Sequence, residues 1–138
     1  MVAYSTSVTL NRDEGKFMTE QYNEELRVLI GRQLTAVTFI MDYVKFQFED
    51  AFLSSLYPPV LSLADGSEIE FGMDGFCNRV RERIQQTVAA TEDNGREIII
   101  KLEDGSVIRV PLWYEEARGS EAAILECPPE PMLVWRPE

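Results

Sequence analysis

The chain reads as an α+β protein made of two antiparallel β-meanders, each preceded by a helix, around one core. Three features predict this. Two segments, starting near Thr19 and Asp74, place apolar residues at helical spacing. Each is followed by three short runs rich in β-branched and aromatic residues, with gaps too short for anything but hairpin turns. The acidic pair that closes "FQFED" at 46–50 also recurs 54 positions later, in "IKLED" at 100–104.

Residues 1–17 alternate only weakly, at Val2, Tyr4, Val8 and Leu10, and are expected to be an N-terminal arm or an edge strand ahead of a single α+β domain over 18–138. From Thr19, a candidate N-cap, residues Tyr22, Leu26, Leu29 and Ile30 share one face of a helix that Gly31 can stop. The runs at 34–40, 43–49 and 51–57 then form the first meander. Tyr57-Pro58-Pro59 ends it, because proline cannot donate to a ladder and holds the preceding residue extended. "VLSLADGSEIEF" at 60–71 is a hairpin turning at Asp65-Gly66. Asp74 is a candidate cap for a second helix running to about Gln86, with Phe76, Val80 and Ile84 along its buried stripe. Strands at 87–93, 96–103 and 106–113, turned at Asn94-Gly95 and Asp104-Gly105, make the second meander. "AILEC" and "MLVWR" add two short strands around the proline-rich "PPEP", completing a sheet.

An offset of 54 aligns Tyr22 with Phe76, Leu26 with Val80, Ile30 with Ile84, Leu34 with Val88, Val44 with Ile98, Phe46 with Ile100 and Phe48 with Leu102. Between 30 and 50 only Ile30, Ala36, Glu49 and Asp50 are identical to their counterparts, so the shared order of elements carries more than identity does. The expectation is an internal αβββ duplication, with pseudo-repeats over about 20–57 and 74–111, packed with pseudo-twofold symmetry.

Composition excludes more chemistry than it assigns. The chain has no histidine, which removes the Ser-His-acid triad, the Cys-His pair, mixed Cys/His zinc centres and the commonest general base near neutral pH. Cys77 and Cys127 are too few for a disulfide scaffold and read as core thiols. A net charge of −11, from 13 basic and 24 acidic residues, repels phosphate backbones and favours a basic protein partner. No run of 18 apolar residues occurs and the N-terminal stretch lacks a basic start followed by an apolar segment, so a soluble cytoplasmic protein is expected, with neither nucleic acid nor membrane as partner.

The acidic pairs Glu49-Asp50 and Glu103-Asp104 fall at matching turns, where aspartate bonds its own backbone; nothing near them has calcium-loop spacing. In "NRVRER", Arg79 and Arg83 share a helix face while Arg81 points away, which suits a solvated face pairing with nearby acids better than one anion clamp. Neither Gly-rich phosphate loop is present. No catalytic, cofactor-binding or metal-ligating residue is therefore assigned, and no cofactor is expected. Tyr43, Tyr57, Trp113, Tyr114 and Trp135 are the candidate partner contacts, with homodimerisation through a sheet face or edge as one form; the competing reading makes them core.

The stretches "IGRQLTAVTFIMDYVKFQFE", "LEDGSVIRVPL", "GSEAAIL" and "LVW" resemble a group of small bacterial proteins without assigned function, in which a "V-x-F-V-M-D-Y-V-x-F-x-F"-like hairpin precedes a D-G hairpin and a G-P-E-A-A-like stretch. The resemblance spans roughly 28–135, departs at Ser120 where proline is expected, and implies no activity, cofactor or site residue. The functional expectation is a non-catalytic acidic interaction protein, in one form an immunity-type inhibitor that covers the cationic site of a basic protein. The alternative is a small-ligand or metal-binding accessory domain; a carboxylate-based enzyme would need several acids to converge in one cleft.

Overall fold

A computed structural model describes residues 9–11, 16–18, 21–115 and 121–136. Strands β1 (Thr9–Asn11) and β2 (Lys16–Met18) pair with each other as a two-stranded sheet. Helix α1 (Asn23–Leu26) runs into a 3-10 turn (Arg27–Leu29), and β3 (Leu34–Ile40), β4 (Tyr43–Phe48) and β5 (Ala51–Ser55) follow as a meander. Next come the hairpin β6 (Val60–Ser62) and β7 (Glu68–Glu70), then helix α2 (Phe76–Arg81). The second meander is β8 (Val88–Asp93), β9 (Glu97–Leu102) and β10 (Val107–Pro111), and the chain closes with the hairpin β11 (Ala123–Glu126) and β12 (Leu133–Trp135).

Each hairpin pairs with the meander it does not follow. β6–β7 comes after β5 but adds to β10, giving the sheet order β7-β6-β10-β9-β8. β11–β12 comes after β10 but adds to β5, giving β12-β11-β5-β4-β3. All pairings are antiparallel. The prolines at 58 and 59 fit this crossing: they cannot extend β5, and the Pro59 carbonyl is taken up by the Phe71 N–H at 2.9 Å.

The two sheets also share their irregularities. Leu34 faces Phe48 and Ala36 faces Gln47 across a bulge in β3; Val88 faces Leu102 and Ala90 faces Lys101 across a bulge in β8, each residue 54 positions on. The hairpins correspond with an offset of 64, Val60 to Ile124 and Glu70 to Val134. Where the meanders meet, Gln33 and Thr87 form an antiparallel bridge. Around it, Gly31 N–H donates to Val88 O as Gln85 N–H donates to Leu34 O, and Leu34 N–H donates to Gln86 O as Val88 N–H donates to Arg32 O, all at 2.8–2.9 Å. Gly31 and Gln85 both have φ of 89°.

That bridge explains why α2 is shorter than periodicity predicts. α2 stops at Arg81 rather than Gln86, because residues 85–88 commit their backbone groups to the opposite strand. Asp74 is not its cap: Gly75 occupies the N-cap with φ 91° and no side chain caps the helix. The expected cap Thr19 lies outside the described residues. Tyr22, Leu26 and Leu29 are buried as their spacing predicts, but Ile30 is 43% exposed, since the chain has turned extended there. Phe76 and Val80 are buried and Ile84 packs against the core. The inner faces of the meanders, Val44, Phe46 and Phe48 on one and Ile98, Ile100 and Leu102 on the other, fill one buried cluster with α1, α2 and both hairpins. Of the two thiols, both free, Cys77 is exposed on α2 and not core, whereas Cys127 is half-buried and packs against the core.

Candidate functional site

The five aromatic candidates do not share a surface. Tyr57 is 3% and Trp135 1% exposed, both within the core. Tyr114 packs on Tyr57 with ring centroids 5.7 Å apart, and the Tyr57 hydroxyl, buried without a hydrogen-bond partner among the described residues, has its pKa raised by desolvation. Tyr43 is half-buried, opposite Ile40 at the β3–β4 turn. Trp113 alone is largely open, at 62%.

The turn carboxylates are engaged locally. Asp50 pairs with Arg32, and Asp104 pairs with Arg83 at 2.8 Å while accepting from the Ser106 N–H and hydroxyl. Burial pushes the Asp104 carboxyl up, but the Ser106 bonds and Arg83 outweigh it and hold the carboxyl below its ordinary value. Arg83 also donates to the Arg79 carbonyl. Among the described residues no group of three or more Asp, Glu, Cys or His side chains is arranged to hold a metal ion.

Sequence spacing gave no hint of a buried carboxylate, Asp93, which is 1% exposed at the end of β8. It accepts from the Tyr22 N–H at 2.7 Å and the Trp135 indole N–H at 2.9 Å, and its other oxygen takes the Gly95 N–H at 2.9 Å. Asn23 braces the same residue, donating to the Asp93 carbonyl and accepting from its N–H. Desolvation nevertheless raises the Asp93 pKa against the lowering effect of those three donors, and the charge of Glu25 adds to the rise. Asp93 thus joins the start of α1, the end of β8 and strand β12, with Tyr22 edge-on to Trp135 at 5.6 Å.

Outside this junction, α1 and the β11–β12 hairpin enclose a groove of about 360 Å³. Val28, Leu125, Met132 and Leu133 line its apolar part, with Cys127 and Pro131 at the hairpin loop and Glu24, Glu25 and Glu130 around it. Helical geometry explains the first wall: Val28, in the 3-10 turn that continues α1, lies about one turn after Glu24, so acid and methyl groups are presented together. Among the described residues, none of the three glutamates has an ion-pair partner. Of the nearby bases, Arg27 precedes Val28 in the 3-10 turn and makes no ion pair with these acids among the described residues, and Arg32 contacts Cys127 Sγ at 3.8 Å but is held by Asp50. The groove therefore offers three carboxylates without an ion pair, among the described residues, beside accessible apolar surface.

The corresponding place on the other sheet is filled differently. In register, Glu24, Glu25 and Val28 match Asn78, Arg79 and Glu82, and Glu130 and Met132 match Gly66 and Glu68. The acids at these equivalent positions are paired: Glu82 with Arg83, and Glu68 with Arg109 and the Ser62 hydroxyl. Asp65 accepts from Ser67, whose bonds, with the nearby Arg79 charge, lower its pKa.

No family model, no curated protein and no solved structure matches the chain. No helix among the described residues is long and apolar enough to cross a membrane.

Proposed function

We propose that the protein is a non-catalytic acidic interaction protein whose partner is a basic protein. The observation that carries this is the α1/β11–β12 groove, where three unpaired glutamates border apolar side chains, on a chain of net charge −11. Such a surface speeds encounter with a cationic partner through its field and retains it by burying methyl groups. An immunity-type role, in which the acidic surface covers the cationic active site of an enzyme, is the form that needs least besides charge and shape.

The test is salt-resolved capture followed by titration. Tagged protein is exposed to lysate of its source cells at low and high salt, and a retained protein is then purified and titrated. A basic partner whose affinity falls steeply with salt is expected, and if it is an enzyme, its activity should fall in the stoichiometric complex. Retention of nothing at low salt, or only of partners indifferent to salt, would overturn the reading.

We further infer that the two halves derive from an internal αβββ duplication extended by a hairpin, with the hairpins exchanged across a pseudo-twofold axis at Gln33 and Thr87. Matching bulges, reciprocal hydrogen bonds and the shared φ at Gly31 and Gln85 support it. Duplication leaves each copy free to diverge on its surface, which accounts for an acidic groove on one half alone.

A further inference from the structure

We propose that the groove between α1 and the β11–β12 hairpin takes an extended basic segment of the partner, one lysine or arginine head lying among Glu24, Glu25 and Glu130 and a neighbouring aliphatic side chain resting on Val28, Met132 and Leu133. This rests on the interaction reading above and names where and how it operates. Three arguments carry it.

The first is charge complementarity, three unpaired carboxylates bordering one apolar groove. The acids at the equivalent positions on the other sheet, Glu68 and Glu82, already have bases, whereas Glu24, Glu25 and Glu130 have no ion pair among the described residues. Nothing in the shared architecture requires acids at these positions, since their counterparts in register are Asn78, Arg79 and Gly66. The second is size: about 360 Å³ holds one or two side chains, not a folded domain, and lies at the low end of the ~300–1,000 Å³ typical of ligand sites. The third is the mixed lining. Lysine and arginine have long methylene stems that lie along apolar surface while the charged head seeks an anion, so apolar side chains edged by carboxylates suit them better than a purely acidic or purely apolar surface does. A second copy of this chain is disfavoured as occupant, because two molecules each of charge −11 would meet acid to acid.

The experiment follows the methyl resonances of Val28, Leu125, Met132 and Leu133 in the full-length protein. The probe is a short synthetic peptide of alternating arginine and leucine. An arginine-glycine peptide, a glutamate-leucine peptide and free arginine serve as comparisons. Saturable shifts at these four residues with the arginine-leucine peptide alone are expected, and the combined variant Glu24→Gln, Glu25→Gln, Glu130→Gln should bind about tenfold or more weakly. The proposal is overturned if the peptide fails to bind, if shifts fall on other faces, or if the triple variant binds as well as the parent. It is equally overturned if free arginine binds as tightly as the peptide, or if these methyls shift with protein concentration alone. The two levels separate cleanly: a captured basic partner that binds the triple variant at full affinity removes the groove and leaves the interaction reading intact, whereas the absence of any salt-sensitive partner removes the interaction reading.

Discussion

The junction of α1 with the β11–β12 hairpin and that of α2 with the β6–β7 hairpin set corresponding positions against one another with different chemistry. In the first, Tyr22 and Trp135 meet edge-on at 5.6 Å and the third member is buried Asp93. In the second, Phe76 and Phe71 meet at 5.6 Å and the third member is Phe39, 37% exposed and stacked on Phe71 at 6.4 Å. At these three positions one junction is held by directional hydrogen bonds to a desolvated carboxylate, the other by ring contacts. The contrast continues outside: the polar junction borders the open acidic groove, while the positions equivalent to that groove on the aromatic side hold Glu68 and Glu82, both ion-paired. Hydrogen bonds concentrate the stability of a junction in one side chain, whereas ring packing spreads it over several.

The largest effect should therefore come from Asp93→Ala. It leaves the Tyr22 N–H, the Gly95 N–H and the Trp135 indole without their acceptor, at ~1–3 kcal/mol for each buried group left unpaired, offset by relief of the buried charge. A net loss of about 3 kcal/mol in urea unfolding is expected; a loss below that of Phe39→Ala would break the comparison. Phe39→Ala should cost roughly 1–2 kcal/mol, less than a fully buried phenylalanine, because its ring is partly in water already.

Titration sharpens the same contrast. The folded pKa of Asp93 is raised, so the folded state holds this proton more tightly than the unfolded chain does. Its ionisation then subtracts stability as pH rises from the ordinary carboxylate value, 3.8, through the raised one. The stability advantage of the parent over Asp93→Asn should accordingly shrink from pH 4 towards pH 7 in equilibrium unfolding. An advantage that grows over that range would mean that the carboxylate is stabilised as the anion.

The smallest effect concerns the bridge between the meanders. Gly31 adopts φ 89° without a side chain, and Gln85 adopts the same φ with one. Gln85→Gly removes that strain, of order 1 kcal/mol, while loosening the unfolded chain, and a gain of about 0.5 kcal/mol is expected in thermal unfolding. Destabilisation instead would show that the glutamine side chain contributes more than its backbone costs.

The strands and their turns were legible because alternation at Val44, Phe46, Phe48 and at Ile98, Ile100, Leu102 is a local signal, as are the Asn-Gly and Asp-Gly turns. The crossing of the hairpins was not, since the sequence of β6–β7 is equally compatible with pairing on β5 or β10. Helix lengths were overestimated for a related reason: the apolar spacing of 76–84 continues past Arg81, but long-range backbone bonds to 32–34 win over local periodicity. Of the site, the excess acid was visible in the composition. Its focus was not, because Glu24 and Glu130 lie more than a hundred positions apart and only the fold brings α1 beside the last hairpin. The aromatic side chains singled out from sequence proved a poor guide to surface, with Tyr57 and Trp135 in the core and only Trp113 widely open.

The most direct measurement compares two neutralised variants against the captured basic partner by calorimetric titration. One is Glu24→Gln, Glu25→Gln, Glu130→Gln. The other is Glu70→Gln, Asp74→Asn, Glu103→Gln, three exposed acids outside the groove that likewise lack an ion-pair partner among the described residues. Both change the net charge equally. If binding resides in the groove, the first variant loses about tenfold or more in affinity and the second no more than about threefold, the residue of a weakened overall field. Equal losses from both would show that net charge alone draws the partner and that the groove has no part in holding it.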